Sequence, residues 1–215
     1  MCSHYESLKD PIQFSLEFGV ALPGGGKVDV WPCYASSFIR RPHLADVGDA
    51  AVPDREALLG MFGLIPHWAK ETTIGRRTFN ARTETMHEKP AFRDAWRRGQ
   101  HCIIPAAAFY EPDWRSGKAK ATRIARADGK PMGIAGLWAK CTLPGGDVHS
   151  FTMLTLNADD HSLMRNFHRP TDEKRMVVIL PEDSFDAWLK AKPLESMDFV
   201  RQYPAERLVA TIEEK

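Results

Sequence analysis

The pattern of apolar and polar residues along the chain predicts more strands than helices. Short apolar runs predict strands over residues 28–34, 102–110, 133–141, 150–156, 176–180 and 208–212. Helical spacing of apolar residues predicts helices over residues 54–61, 89–98, 159–167, 181–191 and 194–203. Because strands and helices do not alternate regularly, the pattern favours an α+β fold with a mostly antiparallel or mixed sheet.

The glycine- and proline-rich stretches predict turns rather than linkers. They lie at residues 23–26, 115–118 and 144–147, between predicted strands. The chain has 215 residues, of which 43% are hydrophobic and 27% charged, which is typical of a globular domain. We therefore expect one domain over residues 1–215. Pro105, inside a predicted strand, indicates an edge or a bulge there.

Charge and cysteine content narrow the classes of function. The 29 basic and 28 acidic residues give a net charge of +1, which argues against wholesale wrapping of nucleic acid but permits a local basic groove. The four cysteines form no CxxC pair, so a zinc ribbon is not expected. We predict no metal and no cofactor. No basic start with an apolar stretch and no apolar run of about 20 residues is present, so we expect a cytoplasmic protein without a membrane partner.

Cys2 is the first candidate for chemistry. Removal of Met1 would leave its amine and thiol on adjacent carbons. Their unperturbed pKa values, about 7.7–8.0 and 8.5, make both partly nucleophilic near neutral pH. The amine can form a Schiff base with an aldehyde, and the thiol can then close a thiazolidine ring. The alternative is that Cys2 is merely a small residue after Met1.

Four other segments carry candidate groups, each with a structural alternative. In residues 78–85, Asn80 could bind an amine and Arg82 could bind a phosphate. The alternative is that this segment is an ordinary capped loop. Glu111 follows an apolar run that predicts a strand. It is either a general acid–base or the point where the strand reaches solvent. His168 precedes a buried strand, although composition does not separate it from His4, His67 or His161. In residues 61–68, the rings of Phe62 and Trp68 either stack on nucleic-acid bases or pack in the protein core.

The order of these segments resembles the SRAP family, the SOS-response-associated peptidase-like or abasic-site processing proteins. The resemblance is carried by Met1-Cys2, Phe62-Gly-Leu-Ile-Pro-His-Trp68, Asn80-Ala-Arg-Thr-Glu-Thr85, Cys102-Ile-Ile-Pro-Ala with Phe109-Tyr-Glu111, and His168 ahead of Arg175-Met-Val-Val-Ile-Leu180. It covers residues 2 to about 190. It implies a single α+β domain with a barrel-like mixed or antiparallel β core and flanking helices.

The resemblance also implies a reaction and a set of roles. Family members bind single-stranded or junction DNA and crosslink the N-terminal cysteine to the aldehyde of an abasic site as a thiazolidine. Cys2 would then be the nucleophile, Asn80 would position its amine, Glu111 would exchange protons, and His168 would hold or open the sugar. The resemblance also gives Arg82 a phosphate near the lesion. The residues themselves add further candidate DNA contacts, namely the clustered arginines Arg76, Arg77 and Arg169 and the stacking rings Phe62 and Trp68. The protein would act as a monomer, nucleoid-associated in a bacterium or nuclear in a eukaryote.

This sequence departs from the family pattern at several positions. Ser3 and His4 stand where the family has glycine and arginine, and Phe62 stands where tryptophan is common. Residues 169–174 lengthen the segment after His168. If this extra length moves His168 out of the site, His161 or His67 becomes the candidate for its role.

Two other functions remain open at this point. One is a thiol peptidase that uses Cys2 with His168 and Glu111, with an activity that could be limited to autoproteolytic removal of Met1. The other is a non-catalytic binder of single-stranded DNA, in which Cys2 is dispensable. Lyase activity could accompany the crosslinking itself. Arg76 and Arg77 also have a structural alternative, a solvated turn.

Overall fold

The computed structural model describes residues 2–42 and 52–213. The strands are β1 (Tyr5–Glu6), β2 (Asp29–Val30), β3 (Ala35–Arg40), β4 (Glu56–Phe62), β5 (Asn80–Arg82), β6 (His101–Ala106), β7 (Ala108–Asp113), β8 (Lys120–Arg126), β9 (Met132–Leu143), β10 (Gly146–Asn157), β11 (Arg175–Val177), β12 (Ile179–Leu180) and β13 (Leu208–Ile212). The α-helices are α1 (Pro11–Phe18), α2 (Arg93–Arg97) and α3 (Phe185–Lys190). Short 3₁₀ helices include Thr72–Arg77, Met164–Asn166 and Glu195–Phe199.

Five strands close into a barrel. β3 pairs with β4, β4 with β10, β10 with β9, β9 with β6, and β6 again with β3. Only the pairing of β4 with β10 is parallel within this ring. Closure removes the free edges of these strands. The expected α+β fold with a barrel-like mixed or antiparallel core is therefore confirmed.

A second sheet lies beside the barrel and carries the N-terminal segment. Its strand order is β13-β8-β7-β1-β2. β1 pairs antiparallel with β7, with Tyr5 opposite Phe109. β6 and β7 are separated only at Ala107, so the apolar run predicted as one strand over residues 102–110 passes from the barrel into this sheet. This passage connects the N-terminal segment to the barrel.

The helix predicted over residues 54–61 is wrong, because this segment is strand β4. Its residues favour a helix by propensity, but closure of the barrel between β3 and β10 decides the conformation. Gly60 is the informative residue, since a Cβ there would lie 2.7 Å from Cε1 of Phe38. Glycine in this strand allows β4 to pack closely against the Phe38 ring.

The other helix predictions are correct only in part. α2 covers five residues of the interval 89–98, and α3 covers six of the interval 181–191. The intervals 159–167 and 194–203 contain 3₁₀ turns instead of α-helices. The pattern missed α1, although Asp10 is a regular N-cap that accepts hydrogen bonds from the amides of Ile12 and Gln13. Within the described ranges, no helix is long and apolar enough to cross a membrane.

The strand predictions were more accurate. β13 has the predicted bounds, and β9 and β10 extend beyond the predicted intervals at both ends. The interval 28–34 contains only the two residues of β2, and the barrel strand β3 that follows it was missed. The run 176–180 is divided by Val178 into β11 and β12. β11 pairs with β10 and β12 with β9, so this short run spans two neighbouring barrel strands.

Candidate active site and nucleic-acid interface

The pairing of β1 with β7 brings Cys2 to the strand that carries Glu111. The Tyr110 amide donates a 2.9 Å hydrogen bond to the His4 carbonyl, which extends the ladder beyond β1. Cys2 is only 1% exposed, and its thiol donates to the His4 carbonyl at 3.4 Å. The second residue of the chain is therefore held inside the protein.

Asn80 anchors Cys2 from the barrel side. β5 runs parallel to β10, with Asn80 opposite Met153, and the side chain is 9% exposed. Its Nδ2 donates a 2.6 Å hydrogen bond to the Cys2 carbonyl. Its Oδ1 is buried and has no hydrogen-bond partner among the described residues. An acceptor buried in this way is costly unless a donor reaches it.

Glu111 and His168 form a buried pair at the same place. Nε2 of His168 lies 3.2 Å from Oε2 of Glu111, and the side chains are 8% and 1% exposed. The His168 amide donates a 2.8 Å hydrogen bond to the Pro112 carbonyl, which attaches the histidine segment to β7. His168 has a φ of +62°, which is uncommon for any residue other than glycine. Such backbone strain persists where the surroundings fix a side chain, and it is frequent at functional sites.

The longer segment after His168 does not displace it from Glu111. The two alternative histidines have other partners. The imidazole of His161 contacts the Tyr203 carbonyl at 2.8 Å and accepts from the amides of Leu163 and Met164. His67 is about half exposed and lies 3.3 Å from Asp94. Neither therefore takes the place of His168 beside Glu111.

Burial sets the protonation of these groups. It raises the pKa of Glu111 from 4.5 to about 7. Burial, and then the charge of Glu111, raises the pKa of the Cys2 thiol to about 12. Burial lowers the pKa of His168 to about 4. Near neutral pH the thiol is therefore protonated, the imidazole is neutral, and Glu111 is the group that can readily give or take a proton.

A groove begins at Asn80 and carries several of the predicted DNA contacts. It has a volume of about 400 Å³, and Trp68, Arg77 and Arg82 line it together with Asn80. Lys89 adds a basic residue that the sequence analysis did not single out. Arg82 is 47% exposed and lies 2.7 Å from Glu173, so its charge is partly compensated. The groove is thus basic, open and continuous with the buried site.

Two other predicted arginines lie outside this groove. Arg76 is exposed on the 3₁₀ helix Thr72–Arg77, and Arg169 is exposed with its guanidinium 5.0 Å from the Trp114 ring centroid. Gly63 fixes the position of the 3₁₀ helix, since it has a φ of +120° and a Cβ there would lie 2.2 Å from the Gly75 carbonyl. The aromatic loop and the arginine turn are therefore packed backbone to backbone.

Phe62 does not fit the predicted contact with DNA. Its ring is fully buried and contacts Tyr5, Phe79 and Phe151, with ring centroids 5.2, 5.8 and 5.7 Å apart. Stacking on a base requires an accessible ring face. Phe62 is therefore a core residue, which was the alternative interpretation. Trp68, in the same loop, is 48% exposed.

The segment Asn80-Ala-Arg-Thr-Glu-Thr85 has two roles. Asn80 and Arg82 belong to the site and the groove, whereas Glu84 attaches the segment to the barrel. The Glu84 carboxylate pairs with the guanidinium of Arg175 at 2.8 Å. Arg175 is 2% exposed and also donates to the Thr155 carbonyl at 2.6 Å. This contact joins the segment after β5 to β10 and β11, so part of the segment positions Asn80 and Arg82.

His4, which stands where the family pattern has arginine, lies between two aromatic rings. It stacks on Trp31 and on Tyr110, with ring centroids 4.1 Å apart in each case. The imidazole also contacts the carboxylate of Asp29. Trp31 is not among the residues predicted from the sequence, although a tryptophan before Pro32 in a turn was the available signal. Within residues 2–42 and 52–213, no group of three or more His, Cys, Asp or Glu could hold a metal ion.

Comparison with known proteins identifies similar chains. The family described as SOS response associated peptidase (SRAP) matches residues 1–212. The abasic site processing protein YoqW of Bacillus subtilis is 38% identical over 133 residues, 61% of this chain and 56% of that protein. The abasic site processing protein HMCES of Gallus gallus is 26% identical over 199 residues, 79% of this chain and 55% of that protein. The chain spans just over half the length of these relatives.

Solved structures agree with the barrel described above. A protein from Bordetella bronchiseptica is 46% identical and superposes with a TM-score of 0.89 over 100% of both chains. A protein from Bacteroides thetaiotaomicron has a TM-score of 0.82 at 21% identity, over 99% of this chain and 92% of its own, and so shares the fold. Since the family match extends over almost the whole sequence, the chain belongs to the SOS response associated peptidase (SRAP) family.

Proposed function

We propose that this protein processes abasic sites in single-stranded or junction DNA by forming a covalent thiazolidine through Cys2. The observation that carries the proposal is the convergence of Cys2, Asn80, Glu111 and His168 in one buried site, beside a basic groove. Two of the relatives bear the name abasic site processing protein. The product would shield the lesion in the DNA damage response.

The reaction needs the free amine of Cys2, which removal of Met1 would expose. The amine adds to the aldehyde carbon of the opened sugar, and loss of one water gives a Schiff base. The Cys2 sulfur then bonds to the same carbon, and the C=N electron pair moves to nitrogen and cancels its positive charge. The thiol proton passes to Glu111, which thereby regains the proton that it gave to the leaving hydroxyl. One water leaves overall, and no oxidant or reductant is required.

The surrounding groups suit these proton transfers. Asn80 holds the Cys2 carbonyl, and its buried Oδ1 is an acceptor for an N–H of the exposed amine. Glu111, with a pKa of about 7, can protonate the leaving hydroxyl and then accept the proton of the thiol. His168 is neutral and 3.2 Å from Glu111, so it can hold the sugar hydroxyl during ring opening. Positioning makes the condensation effectively intramolecular.

The thiol peptidase alternative requires a different electrostatic arrangement. A catalytic cysteine is activated by lowering the pKa of its thiol beside a cationic group. Here burial raises the pKa of Cys2, and His168 contacts Glu111 and is kept neutral. These features do not suit a peptidase, which needs a thiolate before the reaction begins. They suit a thiol that reacts only after the amine has formed the Schiff base.

The test is intact-mass analysis of the protein before and after mixing with abasic single-stranded DNA. We expect loss of Met1, and a heat-stable adduct whose mass is that of protein plus DNA minus one water. Cys2→Ala should form no such adduct, and Cys2→Ser should form only a Schiff base that borohydride traps. Cys141→Ala, which removes another buried thiol, is the matched control and should react like the parent.

Three results would overturn the proposal. An undiminished heat-stable adduct in Cys2→Ala would place the nucleophile elsewhere. Binding of single-stranded DNA without any adduct in the parent would identify a non-catalytic binder. Cleavage of peptides by the parent but not by Cys2→Ala, again without an adduct, would favour the peptidase.

A further inference from the structure

Three aromatic rings form a continuous parallel stack next to the candidate nucleophile. His4 is the middle ring, with Trp31 on one face at 4.1 Å and 11° and Tyr110 on the other at 4.1 Å and 10°. We call these three residues the ring stack. His4 follows Cys2 by two residues, so the stack is directly connected to the reacting group.

The ring stack is held from several sides. The Asp29 carboxylate contacts Nε2 of His4 and accepts from Nε1 of Trp31 at 3.4 Å. Tyr110 lies on β7 and its amide donates to the His4 carbonyl. The turn after Trp31 is closed by a 2.9 Å hydrogen bond from the Tyr34 amide to the Trp31 carbonyl. The position of the indole is therefore fixed before any ligand binds, which lowers the entropic cost of binding.

One face of this stack is available to a ligand. Trp31 has one face covered by His4 and remains 42% exposed, and no second ring among the described residues stacks on it. A large aromatic ring held with an open face is unusual for a residue that only packs, since burial would stabilise it more. Tyr34, in the same turn, is 45% exposed and widens the aromatic surface.

We propose that the open face of Trp31 stacks an unpaired nucleobase next to the abasic residue. This inference rests on the proposed function. An abasic residue has no base of its own, so aromatic recognition must use a neighbouring nucleotide. A nucleobase is a flat ring that adds to the stack as its next layer, and stacking of this kind tolerates any base. Trp31 would thus hold the strand so that the baseless sugar lies at Cys2.

The charges around Trp31 are compatible with a DNA strand. Asp29, the acidic group in contact with Trp31, is engaged by His4. A second carboxylate, Glu213, contacts the stack through the Tyr110 hydroxyl, on the side of His4 away from Trp31. Glu6, opposite Asp29 in the sheet, is paired with Arg123 at 2.9 Å. The face of the indole therefore does not carry an uncompensated acidic partner that would repel phosphates. A protein partner would need a contiguous apolar patch, whereas here the exposed surface is mainly two rings beside charged pairs.

The experiment is a double-mutant cycle between the Trp31 ring and the flanking bases. Parent, Trp31→Ala and Trp31→Phe are compared on two abasic oligonucleotides. One has ordinary bases beside the lesion, and the other has tetrahydrofuran spacers there, which lack both base and aldehyde. Adduct formation is followed in single turnover against DNA concentration, which separates apparent affinity from the rate at saturation.

We expect Trp31→Ala to weaken apparent affinity for the base-containing DNA by about 5- to 150-fold, the range typical of one lost stacked base. Trp31→Phe, which keeps a ring, should restore most of that loss. On the spacer DNA the parent and Trp31→Ala should differ by less than about twofold.

Three results would overturn the inference. The first is that Trp31→Ala loses affinity equally on both DNAs, and the second is that it loses no affinity on either. The third is a lower rate at saturation with unchanged affinity, which would mean that the ring stack only supports Cys2. Failure of the proposed function is distinguishable, because the parent would then form no adduct with either oligonucleotide.

Discussion

Replacement of Glu111 by glutamine should make the stability of the protein respond differently to pH. The carboxyl is 2% exposed, and burial raises its pKa from 4.5 to about 7. Between these two pH values the folded protein retains a proton that the unfolded chain has lost. The free energy of unfolding therefore falls as the pH rises through this interval, and the contribution is absent below about pH 4. Glutamine has a similar shape but does not titrate.

The size of the effect follows from the difference between the two pKa values. At about 1.4 kcal/mol per pKa unit, Glu111 costs the folded protein about 3 kcal/mol once it is fully ionised. Most of this change, about 2 to 3 kcal/mol, falls between pH 5 and 8. In the folded protein neither neighbouring group titrates in that range, since the pKa of His168 is about 4 and that of Cys2 about 12. The titration of His168 in the unfolded chain is common to the parent and Glu111→Gln, so it cancels in their difference.

The assay is urea denaturation of parent and Glu111→Gln at pH 5, 6.5 and 8, comparing midpoints at equal slope. The variant should gain stability relative to the parent by about 2 to 3 kcal/mol from pH 5 to 8. Glu71→Gln, at an exposed glutamate, should follow the parent at every pH. A stability difference between Glu111→Gln and parent that does not change with pH would refute a raised pKa at Glu111, and with it the acid–base role.

Three further predictions concern the groove, the histidine and the core. Arg82→Ala should lower the slope of log affinity against log salt by about 0.7 for single-stranded DNA, and an unchanged slope would remove Arg82 from the phosphate contacts. His168→Gln should keep noncovalent affinity but slow crosslinking, with a smaller defect on an already open aldehyde; an equal defect on both substrates would exclude a role in sugar opening. Phe62→Ala should cost about 3–5 kcal/mol of unfolding free energy, measured by urea denaturation, whereas a stable variant with weakened DNA binding would restore the stacking role.

Local pattern was sufficient for much of the architecture. The apolar runs of β9, β10 and β13 predict strands because their residues alternate or cluster within the length of one strand. The irregular order of strands and helices was enough to exclude a doubly wound fold. The chemistry of Cys2 and the place of Glu111 directly after an apolar run could also be read from the residues, although their roles in the reaction remain predictions. The strand does not end at Glu111 as predicted, because β7 continues to Asp113.

Tertiary pairing decided the features that depend on distant residues. Segment 56–62 becomes a barrel strand because β3 and β10 pair with it, although its residues favour a helix. Phe62 is buried because Tyr5, Phe79 and Phe151, from three other segments, surround it. Local propensity does not contain this information, since burial is set by which strands meet.

The candidate site shows the same division. The sequence determined which groups could react, since an amine and thiol on one residue, a carboxyl and an imidazole have chemistry of their own. It did not determine that His168 lies 3.2 Å from Glu111 or that Trp31 stacks on His4. It also did not determine that Glu111 is buried deeply enough to bring its pKa to about 7. Those properties arise because strand pairing brings distant segments together and removes water from between them, and both effects exist only in the folded chain.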